Sequence, residues 1–144
     1  MRTKLLYDKD PRTVAAVFDT DDEAADGLVS AAREHALHAA SVTGIGGFRS
    51  AVLGYFDPHA REYRRIPVDE QVEVLSLTGD VALGEDGQPM VHAHVVVGLA
   101  DGTTRGGHLL EGRVRPTLEV VFHESPGHLQ RRHDPTTGLP LLRL

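Results

Sequence analysis

From Ala40 to His123 the chain is cut into short β-branched runs separated by Gly, Asp and Pro, and this rhythm constrains the fold more than any other feature. Such punctuation belongs to an antiparallel meander. Alternating strands and helices would need long stretches of helical period between the strands. Strands are predicted over residues 40–43, 50–56, 62–68, 72–79, 90–99, 104–110 and 118–123. The breaks fall at Gly44-Ile45-Gly46-Gly47, Asp57-Pro58-His59-Ala60 and Gly84-Glu85-Asp86-Gly87, all turn-forming compositions. Thr13 to Phe18 reads as one further strand ahead of them.

One helix is predicted, from about Asp21 to Ala39, where Ala24, Leu28, Ala31, Ala32 and Leu37 recur at near-helical spacing. Thr20 and Glu23 have the spacing of a capping box, and the acidic run from Asp19 to Glu23 suits the positive end of a helix dipole. Gly27 costs the helix interior about 1 kcal/mol. The expected fold class is therefore α+β, a mostly antiparallel sheet with one main N-terminal helix.

At 144 residues the chain has the size of a single domain, 1–144, that can build a core without staples. With no cysteine, disulfides, thiolate metal sites and a cysteine nucleophile are excluded, so any metal must be held by His, Asp or Glu. The first residues, Met1 to Asp8, become charged before a signal-length apolar stretch develops, and no run has transmembrane length. A cytoplasmic location and no membrane partner are expected. The net charge of −6 has the wrong sign for binding phosphate backbones through an overall field. Local basic clusters, Arg61 with Arg64 and Arg65, and Arg131 with Arg132, read as solvated faces. The apolar end, Leu139 to Leu144, is expected to dock on its own subunit or on a neighbour.

The chemistry is concentrated in one hairpin. In Val91-His92-Ala93-His94-Val95 the strand period of two points both histidines to one face. The turn Ala100-Asp101-Gly102 leads toward Gly106-Gly107-His108. A three-residue loop with Gly102 in the left-handed conformation pairs Leu99 with Thr103, and hence His94 with His108. A two-residue Asp101-Gly102 loop turns His108 to the other face unless a bulge at Gly106-Gly107 restores the register. A lone histidine reads as a surface residue. A His-x-His strand with a third histidine in register reads as a metal site, so His92, His94 and His108 are the expected ligands of zinc or another divalent transition metal. That trio leaves coordination positions open for water or a small-molecule ligand. His35, His38, His59, His123, His128 and His133 show no such convergence, and the first two are expected to face solvent from the helix.

Together, Val91-His92-Ala93-His94, Gly106-Gly107-His108-Leu109-Leu110-Glu111-Gly112 and Glu73-Val74-Leu75-Ser76-Leu77-Thr78-Gly79 resemble the signatures of the PPC (plants and prokaryotes conserved) domain. The likeness takes in Ser41 to Phe48 and Leu53 to Asp57 and runs from about Thr13 to Glu124, leaving 125–144 as a C-terminal tail. It implies a stand-alone prokaryotic member with a curved antiparallel sheet, a homotrimeric assembly and a metal on the three motif histidines. Plant members carry AT-hooks and act as nuclear DNA-binding regulators, the domain itself serving assembly and protein contacts. Here Gly112-Arg113-Val114-Arg115-Pro116 lacks the Arg-Gly-Arg-Pro core, so DNA is expected only weakly or through partners.

Two functional readings follow, and a third that the metal only locks the hairpin. The first is a trimeric, metal-binding assembly module in regulation, DNA-associated through partners. The alternative is a zinc-dependent enzyme, a lyase or hydrolase acting on a small carboxylate or carbonyl substrate, since the domain is similar to the fold of acetolactate decarboxylase with its comparable histidine trio. Glu111 is the expected catalytic acid or base, Glu70 and Glu73 are further candidates, and Arg105 could hold a carboxylate.

Overall fold

The structure, a computed structural model, describes residues 1–7, 9, 11–125 and 127–143, residues 5–7 by backbone alone. The strands are β1 (Arg2–Tyr7), β2 (Thr13–Phe18), β3 (Ala39–Asp57), β4 (Glu62–Val68), β5 (Val72–Leu83), β6 (Pro89–Gly98), β7 (Thr104–Glu124), β8 (Gln130–His133) and β9 (Pro140–Arg143); α1 spans Ala24–Glu34. They form one mixed sheet ordered β1-β2-β7-β3-β5-β8-β9, with β4 on β3 and β6 joined to both β5 and β7. Because β3 pairs with β5 and β7, and β6 bridges those same two strands, the pairings close a ring of β3, β5, β6 and β7. A sheet that closes this way must curve strongly. The α+β class holds, with one helix among the described residues and antiparallel pairing everywhere except the single parallel bridge between Leu83 and Gln130.

Two predicted breaks are absent. Gly44 to Gly47 bend β3 without ending it, the register shifting between Gly44 and Gly46 against β5 and between Gly46 and Phe48 against β7. The stretch 111–117 likewise stays inside β7. Bulges insert a residue and re-aim a strand while the ladder resumes beyond them, so glycine density there encodes curvature and not termination.

The helix is shorter than its periodicity suggests. Glu23, not Thr20, is the N-cap: its Oε2 accepts the Asp26 N–H at 2.7 Å while Oε1 accepts the Gly112 N–H at 2.7 Å, tying the helix start to β7. Thr20 donates instead to the Pro116 carbonyl at 2.9 Å. At the other end the N–H groups of Ala36 and Leu37 bond to the carbonyls of Arg33 and Ala32, closing a Schellman motif. Ala36 supplies its left-handed residue at φ 47°, so no glycine marks the stop. Gly27 has a packing reason, since a Cβ there would lie 2.3 Å from Cε1 of Phe18.

The core lies between α1 and the sheet. Ala24, Leu28, Ala31 and Ala32 of the helix and Phe18, Phe48, Leu53, Leu118 and Phe122 of the strands are buried within it. Each such large side chain contributes about 1.5–3 kcal/mol. In β6, Ala93, Val95 and Val97 belong to this core, which turns the alternate positions His92 and His94 to the opposite face. The tail folds back as the β8–β9 hairpin, so the apolar end as far as Arg143 docks partly on its own chain, Leu144 lying outside the described residues; Leu141 and Leu142 stay 38% and 40% exposed.

Candidate metal centre

The β6–β7 hairpin closes by the three-residue route. Leu99 donates its N–H to the Thr103 carbonyl at 2.9 Å, and Gly102 donates to the Leu99 carbonyl at 2.9 Å. Gly102 takes φ 83°, the left-handed geometry this loop requires. The Asp101 carboxylate accepts the Thr103 N–H at 2.9 Å and its hydroxyl at 2.6 Å, and these bonds hold its pKa below the ordinary aspartate value. Pairing then runs unbroken from Gly98 opposite Thr104 to His94 opposite His108, with no bulge at Gly106-Gly107.

The three rings stand together. Their centroids are 4.9 Å (His92–His94), 5.1 Å (His92–His108) and 5.3 Å (His94–His108) apart. One nitrogen of each lies within 4.8 Å of the others, and this is the one such donor cluster among the described residues. The Nε2 atoms of His92 and His94 are 3.1 Å apart. Two nitrogens on a tetrahedral ion at ~2.0–2.1 Å would lie about 3.3 Å apart, so the spacing fits a shared cation. Nδ1 of His108 is buried with no hydrogen-bond partner, a lone donor atom of the kind a metal satisfies. The donor set therefore fits a borderline-soft divalent ion, which when bound would polarise an oxygen ligand or acidify a water.

Burial favours the neutral form of His92 and His108, the form that ligation requires. Burial, followed by the charges of His92, His94 and Arg131, pushes the His108 pKa down to about 4. His92 is lowered by burial first and then by Arg131 and His94, with Asp80 opposing the shift.

A supporting layer surrounds the trio. Tyr63 stacks on His108 with centroids 4.7 Å apart and planes at 26°. It reaches there across Gly54, which sits opposite His108, and a Cβ on Gly54 would lie 2.8 Å from Cδ1 of Tyr63. Behind His92 its strand partner Asp80 accepts from Arg131 at 2.6 Å, and Arg131 also donates to the Pro140 carbonyl at 2.9 Å. Arg131, expected on a solvated face, is only 6% exposed. A guanidinium that fastens one hairpin to a sheet by its fork geometry leaves little of itself in water.

The acid-base candidates lie elsewhere. Glu111 pairs with Arg65 and lines a separate depression with Glu23, Asp26 and Asp69. Glu70 and Glu73 are exposed, and Arg105 reaches the Pro67 carbonyl at 3.5 Å. None of these four lines the cleft beside His92 and His108. His35 and His38 do not face solvent from the helix as a pair. His35 is its C-cap, its buried Nε2 3.9 Å from the Glu34 carboxylate and without a hydrogen bond, and His38, beyond the helix, lies 5.6 Å from the His128 ring. Arg64 lies over the Tyr55 ring at 5.1 Å. Sequence reasoning missed Tyr63, Asp80 and the role of Arg131; the one available signal was an arginine inside an apolar, turn-rich tail.

A model of the Plants and Prokaryotes Conserved (PCC) domain matches residues 6–126. The chain belongs to this family. Among solved structures it is similar to a metal-containing protein from Archaeoglobus fulgidus, at 31% identity and TM-score 0.83 over 100% of this chain and 99% of that one. A plant- and prokaryote-conserved protein from Pyrococcus horikoshii matches at 29% identity and TM-score 0.85, covering 99% and 95% of the two chains. A candidate DNA-binding protein from Bacteroides thetaiotaomicron matches at 25% identity and TM-score 0.86 over 91% of each. A Staphylococcus aureus protein of unknown function, similar to alpha-acetolactate decarboxylase, shares the fold at 14% identity and TM-score 0.57, over 81% of this chain and 53% of that one. The chain is also 36% identical over 110 residues to the bifunctional protein GlmU of a Synechococcus strain; that stretch is 74% of this chain and 16% of the relative. This PCC domain has no helix among its described residues long and apolar enough to cross a membrane.

Proposed function

We propose that this single-domain chain is a metal-binding PCC module that assembles as a homotrimer and serves as a regulatory scaffold, meeting DNA through partners. The observation that carries the reading is the convergence of His92, His94 and His108 with one nitrogen each inside a 4.8 Å span. These three residues would hold zinc or a similar divalent ion, and the similarity to a metal-containing archaeal protein supports it. Ile45 and Leu75, 61% and 53% exposed, border one apolar depression on the sheet and support burial against another copy. Direct DNA binding is disfavoured by the net charge of −6, and of the basic cluster on β4, Arg65 is already committed to Glu111.

Elemental analysis of the purified protein, with light scattering at micromolar concentration, tests both parts. About one zinc-like ion per chain and a mass of three chains are expected. A metal-free protein would overturn the first part, and a clean monomer the second.

A further inference from the structure

The β8–β9 hairpin straps one side of the histidine trio. Between this strap and the sheet lies a cleft of about 210 Å³, lined by His92 and His108 and by a wall of Tyr63, Met90, Val91, Leu139, Pro140 and Leu141. No carboxylate is among its lining residues. Asp80, the acid opposite His92, is already held by Arg131 at 2.6 Å. An ion on three neutral imidazoles keeps its full positive charge. The charge of Arg131, which also lines the cleft, is matched by Asp80, and its buried Nε–H is left without a hydrogen-bond partner. With an ion on the trio the cleft is thus positive where the histidines line it and apolar over most of its remaining lining.

We propose that this cleft takes a small monocarboxylate, its carboxylate drawn to the histidine end and its aliphatic tail against Met90, Leu139 and Leu141, so that the strap sets which ligand the chain accepts. The inference rests on metal binding at the trio. A second charge on the tail would be pressed against apolar side chains with no partner, which is costly. A neutral ligand would leave the positive end uncompensated. At ~30 Å³ per water the volume suits a tail of about four to six carbons. The family-model match ends at residue 126, before the strap begins, so Leu139, Pro140 and Leu141 of the wall lie beyond it while Tyr63, Met90 and Val91 lie within it.

Calorimetric titration of the zinc-loaded full chain with acetate, butyrate and hexanoate tests this, zinc content being measured separately. Affinity is expected to rise about fourfold per methylene, and hexan-1-ol is expected not to bind. In Leu141→Asp, at a position 38% exposed and so tolerant of a charge, the chain-length trend should flatten while zinc is retained. Methyl resonances of Met90 and Leu141 in the wild type should shift with hexanoate more than with acetate, a readout independent of how the variant folds. Tail-independent binding by the zinc-loaded wild type, or an undiminished trend in a folded Leu141→Asp, overturns the proposal and leaves the metal reading standing. A chain that takes up no zinc overturns both.

Discussion

The β6–β7 hairpin and the β8–β9 strap flank the same cleft but are held in opposite ways. β6 is laddered on both sides, to β5 from Glu73 opposite Gly98 to Leu83 opposite Pro89, and to β7 from Gly98 to His94. The strap meets the sheet through the Leu83–Gln130 bridge, the Leu83 N–H bond to the Leu129 carbonyl at 2.8 Å, and the Arg131–Asp80 pair. The donor atoms proposed to hold a metal sit on backbone that cannot move without breaking many bonds together. The wall beside them hangs on few contacts and belongs to the part of the molecule that opens most easily. Rigid ligation beside an adjustable wall is a division of labour that four experiments can break or sharpen.

The largest effect is expected on the rigid side. His94→Ala removes the ligand paired directly with His108 and should cost metal affinity more than the 10–100-fold typical of losing a mere supporting residue. The fold should persist, because Ala93, Val95 and Val97 on the other face still fill the core. Elemental analysis beside circular dichroism checks it; equal zinc in both proteins would refute the site.

On the strap side, Asp80→Ala leaves the Arg131 guanidinium buried without its carboxylate. Breaking a buried pair costs up to about 3–5 kcal/mol, but here the loss is capped by the cost of opening the strap. Hydrogen exchange should therefore quicken in residues 128–143 while the β6–β7 amides keep their protection. Uniform acceleration throughout would show that the two regions are one cooperative unit.

Gly54→Val probes the seam between trio and supports. Its side chain would collide with Tyr63 and Leu110, an overpacking worth about 1–3 kcal/mol. A lowered melting temperature and a changed His108 ring resonance are expected, and an unmoved resonance would show that the Tyr63 stack does not orient His108.

The last experiment concerns protons. In the metal-free protein the His108 pKa is pushed down to about 4 from an ordinary 6.5. Below pH 6.5 the unfolded chain takes up a proton that the folded chain refuses, so stability should fall as pH drops from 6.5 toward 4 and then level off. Bound metal should deepen the dependence, because protons compete with the ion for the same nitrogens. A metal-free melting temperature flat across that window would contradict the depressed value.

What could be read in advance was local. Thr13 to Phe18 and Glu62 to Val68 are strands with the bounds their alternation and turns suggest, and the hairpin takes the three-residue one of the two loops that Ala100-Asp101-Gly102 allowed. Strands β1, β8 and β9 were not legible. Their short polar or proline-bearing segments carry no amphipathic period and pair only because a neighbouring edge is present. The end of α1 was hidden for a similar reason: Ala36 adopts a left-handed conformation that its residue type does not announce.

The sequence by itself determined the α+β class, the facing of His92 and His94, and the arrival of His108 at their register, because turn chemistry and a period of two act over a few residues. Only the tertiary structure decided that Tyr63 stacks on His108, that Arg131 reaches Asp80 across 51 residues, and that Glu111 is turned to Arg65 and away from the cleft. Those contacts depend on the bulges and ring closure of the sheet, whose geometry is set by all its strands together and is written in no single segment.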